Sequence, residues 1–167
     1  MAAHFVSLLG FVTLLVGLSP AISQAASEED SVARGLEIVI EADRRNQGWK
    51  DSQAQMQMVL RNAHGDASQR KLRSKILEVI GDGDKSLSIF DEPRDVQGTA
   101  FLTFSHAVEP DDQWIYLPAL KRVKRISSRN KSGPFMGSEF AYEDMASFEV
   151  KKYHYRYLRD EQINGVD

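Results

Sequence analysis

The chain has 167 residues, with 21 Lys and Arg against 24 Asp and Glu, a formal net charge of −3. A hydrophobic fraction of 42% with 27% charged residues is globular composition, and the length accommodates one ordinary domain with a substantial core. Weak acidity gives no whole-molecule reason to expect nucleic acid as a partner. The absence of cysteine excludes disulfides, thiolate metal sites, cysteine nucleophiles and lipidation through an N-terminal cysteine.

Residues 1–25 contain no Asp, Glu, Lys or Arg. Within them, 5–18 is an apolar run of 14 residues, shorter than the roughly 20 that a membrane-spanning helix needs. Pro20 follows, then Ser23 and Ala25 in small-x-small positions. This layout predicts a secretory signal peptide cleaved after Ala25 and an exported setting for residues 26–167, with an uncleaved N-terminal anchor as the alternative because residues 1–4 carry no Lys or Arg. Removing 25 of 167 residues leaves 142, read as a single domain.

Ser27, with acidic residues through Asp30, reads as a helix start, and Val32, Leu36, Val39 and Ile40 recur at helical spacing to about Arg45. Asn46 and Gly48 end that helix. From there the period changes to alternation. Ala54, Met56, Met58 and Leu60 face one way along 53–61, and Gln53, Gln55 and Gln57 face the other. Further strands are predicted over 70–80, 85–90, 98–105, 113–117, 121–126 and 148–158. Turn sequences such as His64-Gly65-Asp66 and Asp82-Gly83 separate the early ones. Glu139 to Met145 reads as a helical turn. Seven strands in short-loop succession predict a strongly curved antiparallel meander, with the helix covering its concave face. Asn164-Gly165 is a hairpin turn followed by only two residues, which reads as a domain continuing past Asp167.

Chemistry-bearing patterns are few. No nucleophile elbow, zincin helix, P-loop or dinucleotide fingerprint is present. His64, His106 and His154 stand outside metal-ligand spacing. Asp82 and Asp84 lack the downstream acid of a calcium loop, and Asp111-Asp112 reads as loop solvation beside the rarer paired-carboxylate reading. Ser127-Ser128 has no nearby base. The expectation is a non-enzymatic protein without catalytic residues, metal or cofactor. Two features remain. Met56, Met58 and Leu60, extended by Leu102, Phe104, Trp114 and Tyr116, supply a candidate apolar lining for acyl chains, although ordinary core packing explains such stripes as well. Lys121, Arg122, Lys124 and Arg125 open a run of six basic residues in eleven, a candidate docking surface for anionic lipid or an acidic protein.

Several segments carry a family likeness. These are Gly48-Trp49-Lys50-Asp51, Gly81-Asp82-Gly83-Asp84-Lys85, Asp95-Val96-Gln97-Gly98-Thr99-Ala100, the block from Trp114 to Ile126, Phe135-Met136-Gly137-Ser138-Glu139-Phe140 and Tyr142-Glu143-Asp144-Met145. Together they resemble the LolA-like group of outer membrane lipoprotein-sorting proteins, over about residues 33–165. The resemblance implies an incomplete antiparallel barrel with a helical lid over an apolar cavity. It implies non-catalytic binding and passage of a lipid or lipidated protein in the periplasm. It also implies an inner-membrane partner of the RND or MMPL exporter type. The alternative expectation is a periplasmic sensor or adaptor on a similar fold, acting by protein contact. Family chains continue for several more strands, in keeping with the isolated Asn164-Gly165 turn.

Overall fold

The protein is described by a computed structural model over residues 21–163, and side chains are described from residue 27 onward, Ser128 excepted. Most of the expected signal peptide and the whole Asn164-Gly165 turn lie outside the described residues.

Helix α1 spans Ala21–Arg45. It begins earlier than Ser27 because the alanines at 21, 25 and 26 are strong helix formers and no breaker intervenes after Pro20. Ser27 thus lies inside the helix and does not cap it. At the other end Arg44 and Arg45 complement the negative helix terminus, and both grip the Glu41 carboxylate at 2.8 and 2.7 Å. Those guanidinium contacts hold Glu41 down to about 2. Gly48, at φ 93°, turns the chain out of the helix. The Glu78 carboxylate then accepts the Gly48 and Lys50 amides at 2.6 and 2.8 Å, fastening the linker to the end of the second strand.

Six strands follow: β1 Asp51–Arg61, β2 Ala67–Leu77, β3 Lys85–Glu92, β4 Ala100–Phe104, β5 Asp112–Leu117 and β6 Arg122–Arg125. Each pairs antiparallel with the next, in the order β1-β2-β3-β4-β5-β6. The meander is the one the alternating pattern predicts. It is an open sheet, not a closed barrel, and β1 and β6 form its edges.

Register determines what each face carries, because residues directly opposite one another in a ladder share a side. Met56 faces Leu72, Leu72 faces Phe90, Ser88 faces Phe101, and Phe101 faces Ile115. This is the core face. It is covered by the irregular segment after β6, whose Phe135 is buried and whose Tyr142, Met136 and Met145 pack against the same cluster. The Phe101 ring sits 5.1 Å from Phe135 and 5.5 Å from Tyr142, and Phe135 meets Tyr142 edge-on at 5.7 Å. Such tilted and edge-on contacts suit the aromatic quadrupole. Polar links also pin the segment down, among them Gln113 Nε2, which donates to the Tyr142 carbonyl at 2.6 Å, and the Arg70 guanidinium, which donates to the Met136 carbonyl.

The predicted seventh strand is a correction. Residues 148–158 contain a 3-10 turn at Val150–Lys152 and join no ladder among the described residues. Their alternating tyrosines resemble a strand pattern, but the backbone finds another partner. The Tyr157 amide donates to the Ser31 carbonyl of α1 at 2.8 Å. Gly35 makes that approach possible, since a Cβ there would lie 2.8 Å from the Tyr157 nitrogen. The helix is therefore held by the C-terminal segment, and Val32, Leu36, Ile38 and Ile40 remain exposed along it.

Candidate functional site

The second face of the sheet is the more informative one. Leu87 on β3 lies opposite Leu102 on β4, which lies opposite Trp114 on β5. Ala100 lies opposite Tyr116, and Tyr116 opposite Val123 on β6. These side chains stand on the side away from the Phe90–Phe101–Ile115 core and form an apolar belt across four strands. Leu87, Leu102, Phe104 and Trp114 are half-buried, while Tyr116 is 37% and Val123 59% exposed. Phe104 and Trp114 meet edge to face at 5.4 Å, and the Lys85 ammonium sits 4.8 Å from the centre of the Phe104 ring. On β1 and β2 the same face turns polar, with Gln53, Gln55, Gln57, Arg73 and Lys75. A shallow groove of about 250 Å³ opens beside Leu77, Leu87 and Leu102.

The seven residues expected to line an apolar cavity are thus divided between two faces. Leu102, Phe104, Trp114 and Tyr116 come together on the belt. Met56, Met58 and Leu60 stand on the core side, where Met58 packs against the buried cluster and Met56 is 52% exposed. Strand alternation shows which residues of one strand share a side; only the pairing shows which sides of different strands coincide. Leu87 and Val123 belong to the belt and were not singled out from the sequence. The alternation Lys85, Leu87, Ile89 was the available clue to the first of them.

The predicted docking residues do cluster. Pro118–Leu120 forms a 3-10 turn, Lys121 ends it in the left-handed region at φ 46°, and Arg122–Arg125 is the exposed edge strand β6. Arg125 pairs with Asp112, whereas Lys121, Arg122 and Lys124 meet no acidic partner among the described residues.

A charged relay spans the end of the sheet nearest the β2–β3 turn. His106 Nδ1 lies 3.1 Å from Asp82 Oδ2, and Nε2 lies 3.6 Å from Asp112 Oδ2. The Ala107 amide donates to Asp82 Oδ1 at 2.7 Å. Hydrogen bonding to Asp82 raises the imidazole above its ordinary value, while the Ala107 amide and then His106 hold Asp82 down to about 2. Neighbouring Asp111 accepts the His106 amide at 3.0 Å and the Lys152 ammonium at 2.5 Å. Asp82 and the Asp111-Asp112 pair therefore serve as cross-element ties. Beyond them a cavity of about 570 Å³ lies between the end of α1 and residues 147–151, walled by Trp49, Val79 and Phe148. Burial raises the Asp84 and Glu149 carboxyls at its margin. No group of three or more His, Asp or Glu arranged to hold a metal occurs among the described residues.

Comparison with known proteins gives a consistent likeness. The family model matching residues 82–167, just over half of the chain, bears the description uncharacterized protein-like. A crystallised domain from Vibrio parahaemolyticus, assigned to outer membrane lipoprotein sorting, is 64% identical with a TM-score of 0.77. That match covers 80% of this chain and 57% of the domain's own. A crystallised DUF1329 family protein from Desulfovibrio piger is 30% identical with a TM-score of 0.74, over 81% of this chain and 57% of its own. The chain thus spans 57% of the length of each of these two relatives. No curated protein matches it.

Proposed function

We propose a function from one premise: the chain belongs to the LolA-like family of outer membrane lipoprotein-sorting proteins. It binds a lipid, or the acyl chains of a lipidated protein, in the periplasm and passes them toward the outer membrane without chemical conversion. The observation that carries this reading is the apolar belt of Leu87, Leu102, Phe104, Trp114, Tyr116 and Val123, which the described residues cover only in part. Spread over four adjacent strands, the belt is roughly 14 Å across at about 4.8 Å per strand. Each methylene an acyl chain buries there contributes about 0.8 kcal/mol, so partial coverage already gives useful binding. The polar flank on β1 and β2 marks where a headgroup would meet solvent.

Native mass spectrometry of the full-length protein, with extraction and identification of co-purifying lipid, tests the reading. Wild type retains lipid, Leu102→Asp and Trp114→Asp lose it, and Met56→Asp on the opposite face keeps it. Recovery of no lipid from wild type, or equal loss from all three variants, would refute acyl binding by the belt.

Lys121, Arg122 and Lys124, which meet no acidic partner among the described residues, favour a second reading, a periplasmic adaptor that contacts an envelope complex such as an RND or MMPL-type exporter. Under it, charge reversal at Lys121, Arg122, Lys124 and Arg125 abolishes partner capture and leaves bound lipid in place.

A further inference from the structure

The β5–β6 hairpin carries two features that the acyl-binding reading does not use. Its tip exposes Leu120 at 67% and, one turn of strand later, Val123 at 59%. Lys121 follows Leu120 directly, and Arg122 and Lys124 flank Val123 in sequence but on the opposite side of β6, all exposed and without acidic partners among the described residues; Arg125 shares the side of Val123. The charge is one-sided over a long stretch. Residues 113–138 contain no Asp or Glu and six Lys and Arg: Lys121, Arg122, Lys124, Arg125, Arg129 and Lys131. Three of them, Lys121, Arg122 and Lys124, stand at or beside the protruding apolar turn of a protein whose net charge is −3, while Arg125 and Lys131 reach Asp112 and the Asp111 carbonyl at the other end of the hairpin.

We infer that this hairpin tip is a docking surface for an anionic lipid bilayer, with Leu120 entering the interface and the surrounding cations meeting lipid phosphates. Charge complementarity selects the anionic surface, since clustered Lys and Arg are drawn to it additively and only within a Debye length. The position of Leu120 favours a bilayer over an acidic polypeptide. Acidic side chains would pair the cations yet leave a leucine at the end of a turn in water, whereas the headgroup–acyl boundary takes it up. Lys121 and Arg122, with long aliphatic stems, keep their charges at headgroup level while the apolar tip goes deeper. Pro118 and the left-handed Lys121 fix the turn, so little ordering entropy opposes docking.

The geometry also links this surface to the belt. Three residues past Leu120, the exposed Val123 lies opposite Tyr116 on the belt face, which continues to the half-buried Trp114 and Leu102. An acyl chain leaving a leaflet at the tip would reach the belt by way of Val123 and Tyr116. This consequence rests on the acyl-binding reading; the docking itself does not.

Flotation of the full-length protein with two vesicle types tests the inference: one part phosphatidylglycerol to three parts phosphatidylcholine, and phosphatidylcholine alone. Uptake of a soluble fluorescent fatty acid is measured in parallel. Wild type is expected to float with the anionic vesicles and to be released by salt. K121Q/R122Q/K124Q is expected to bind them on the order of a hundredfold more weakly while taking up fatty acid normally. Leu120→Ser is expected to weaken vesicle binding without changing its salt dependence. Equal binding to neutral vesicles, or unchanged binding by the triple variant, would overturn the docking surface. So would polyglutamate binding that survives Leu120→Ser in a protein that ignores both vesicle types. Vesicle binding that persists in a protein taking up no fatty acid would support the docking surface and sink the acyl-binding reading alone.

Discussion

His106 joins two carboxylates, Asp82 and Asp112, at the end of the sheet, and its charge state determines the strength of both contacts. Its folded value is raised by Asp82, so the tie is fully present below the ordinary imidazole value of 6.5 and is lost as pH rises through the higher folded value. Asp82 has the opposite sign. Held near 2 against an ordinary 3.8, it contributes above that ordinary value and fails as pH falls toward 2. Thermal melts of wild type should therefore decline as pH rises above 6.5, and His106→Gln should flatten that decline. A wild-type melting temperature independent of pH between 6 and 9 would refute the tie. Thr103 makes a different prediction. Its hydroxyl is fully buried with no hydrogen-bond partner, opposite Gln113, whose Oε1 is likewise unpartnered. Thr103→Val keeps the shape and removes the unpaired polar atom, so chemical denaturation should show stability unchanged or raised by about 1 kcal/mol.

Two glycines control how elements meet. At Gly35 an alanine would strengthen the isolated helix by about 1 kcal/mol, yet its Cβ would meet the Arg156 and Tyr157 backbone at 2.8–3.0 Å. Gly35→Ala should therefore strip hydrogen-exchange protection from the Tyr157 amide while α1 keeps its own. Gly83 lies where the β2–β3 turn crosses the end of β4, and a Cβ there would sit 2.4 Å from the Ser105 carbonyl carbon. Gly83→Ala should cost about 1–3 kcal/mol in unfolding free energy, because backbone and not a movable side chain stands in the way. Neither approach is visible in the sequence, where Gly35 looks like a flaw in a helix and Gly83 like ordinary turn chemistry.

At the scale of the molecule, a six-stranded meander has two broad faces, and among the described residues one covering segment closes one of them. Phe101 marks the closed side: Phe101→Ala should destabilise by about 3–5 kcal/mol in denaturant titrations, against much less for half-exposed Met56→Ala. Among the described residues the other face keeps its apolar belt, the feature on which the proposed function rests. Alternation in Met56–Met58–Leu60 and in Leu102–Phe104 was enough to establish strands and their order. Turn residues and short connections were enough to establish a meander, and the acid-free run from Gln113 to Ser138 was legible as a basic hairpin. These are local properties, set by a period of two and by the few residues that tolerate tight turns. The division of the expected lining between opposite faces, the pairing of Leu87 with Leu102, and the transfer of residues 148–158 from strand to helix clamp were decided by tertiary structure. Each depends on register or on close approach between distant segments, and a chain's own periodicity carries no record of which neighbour it will meet.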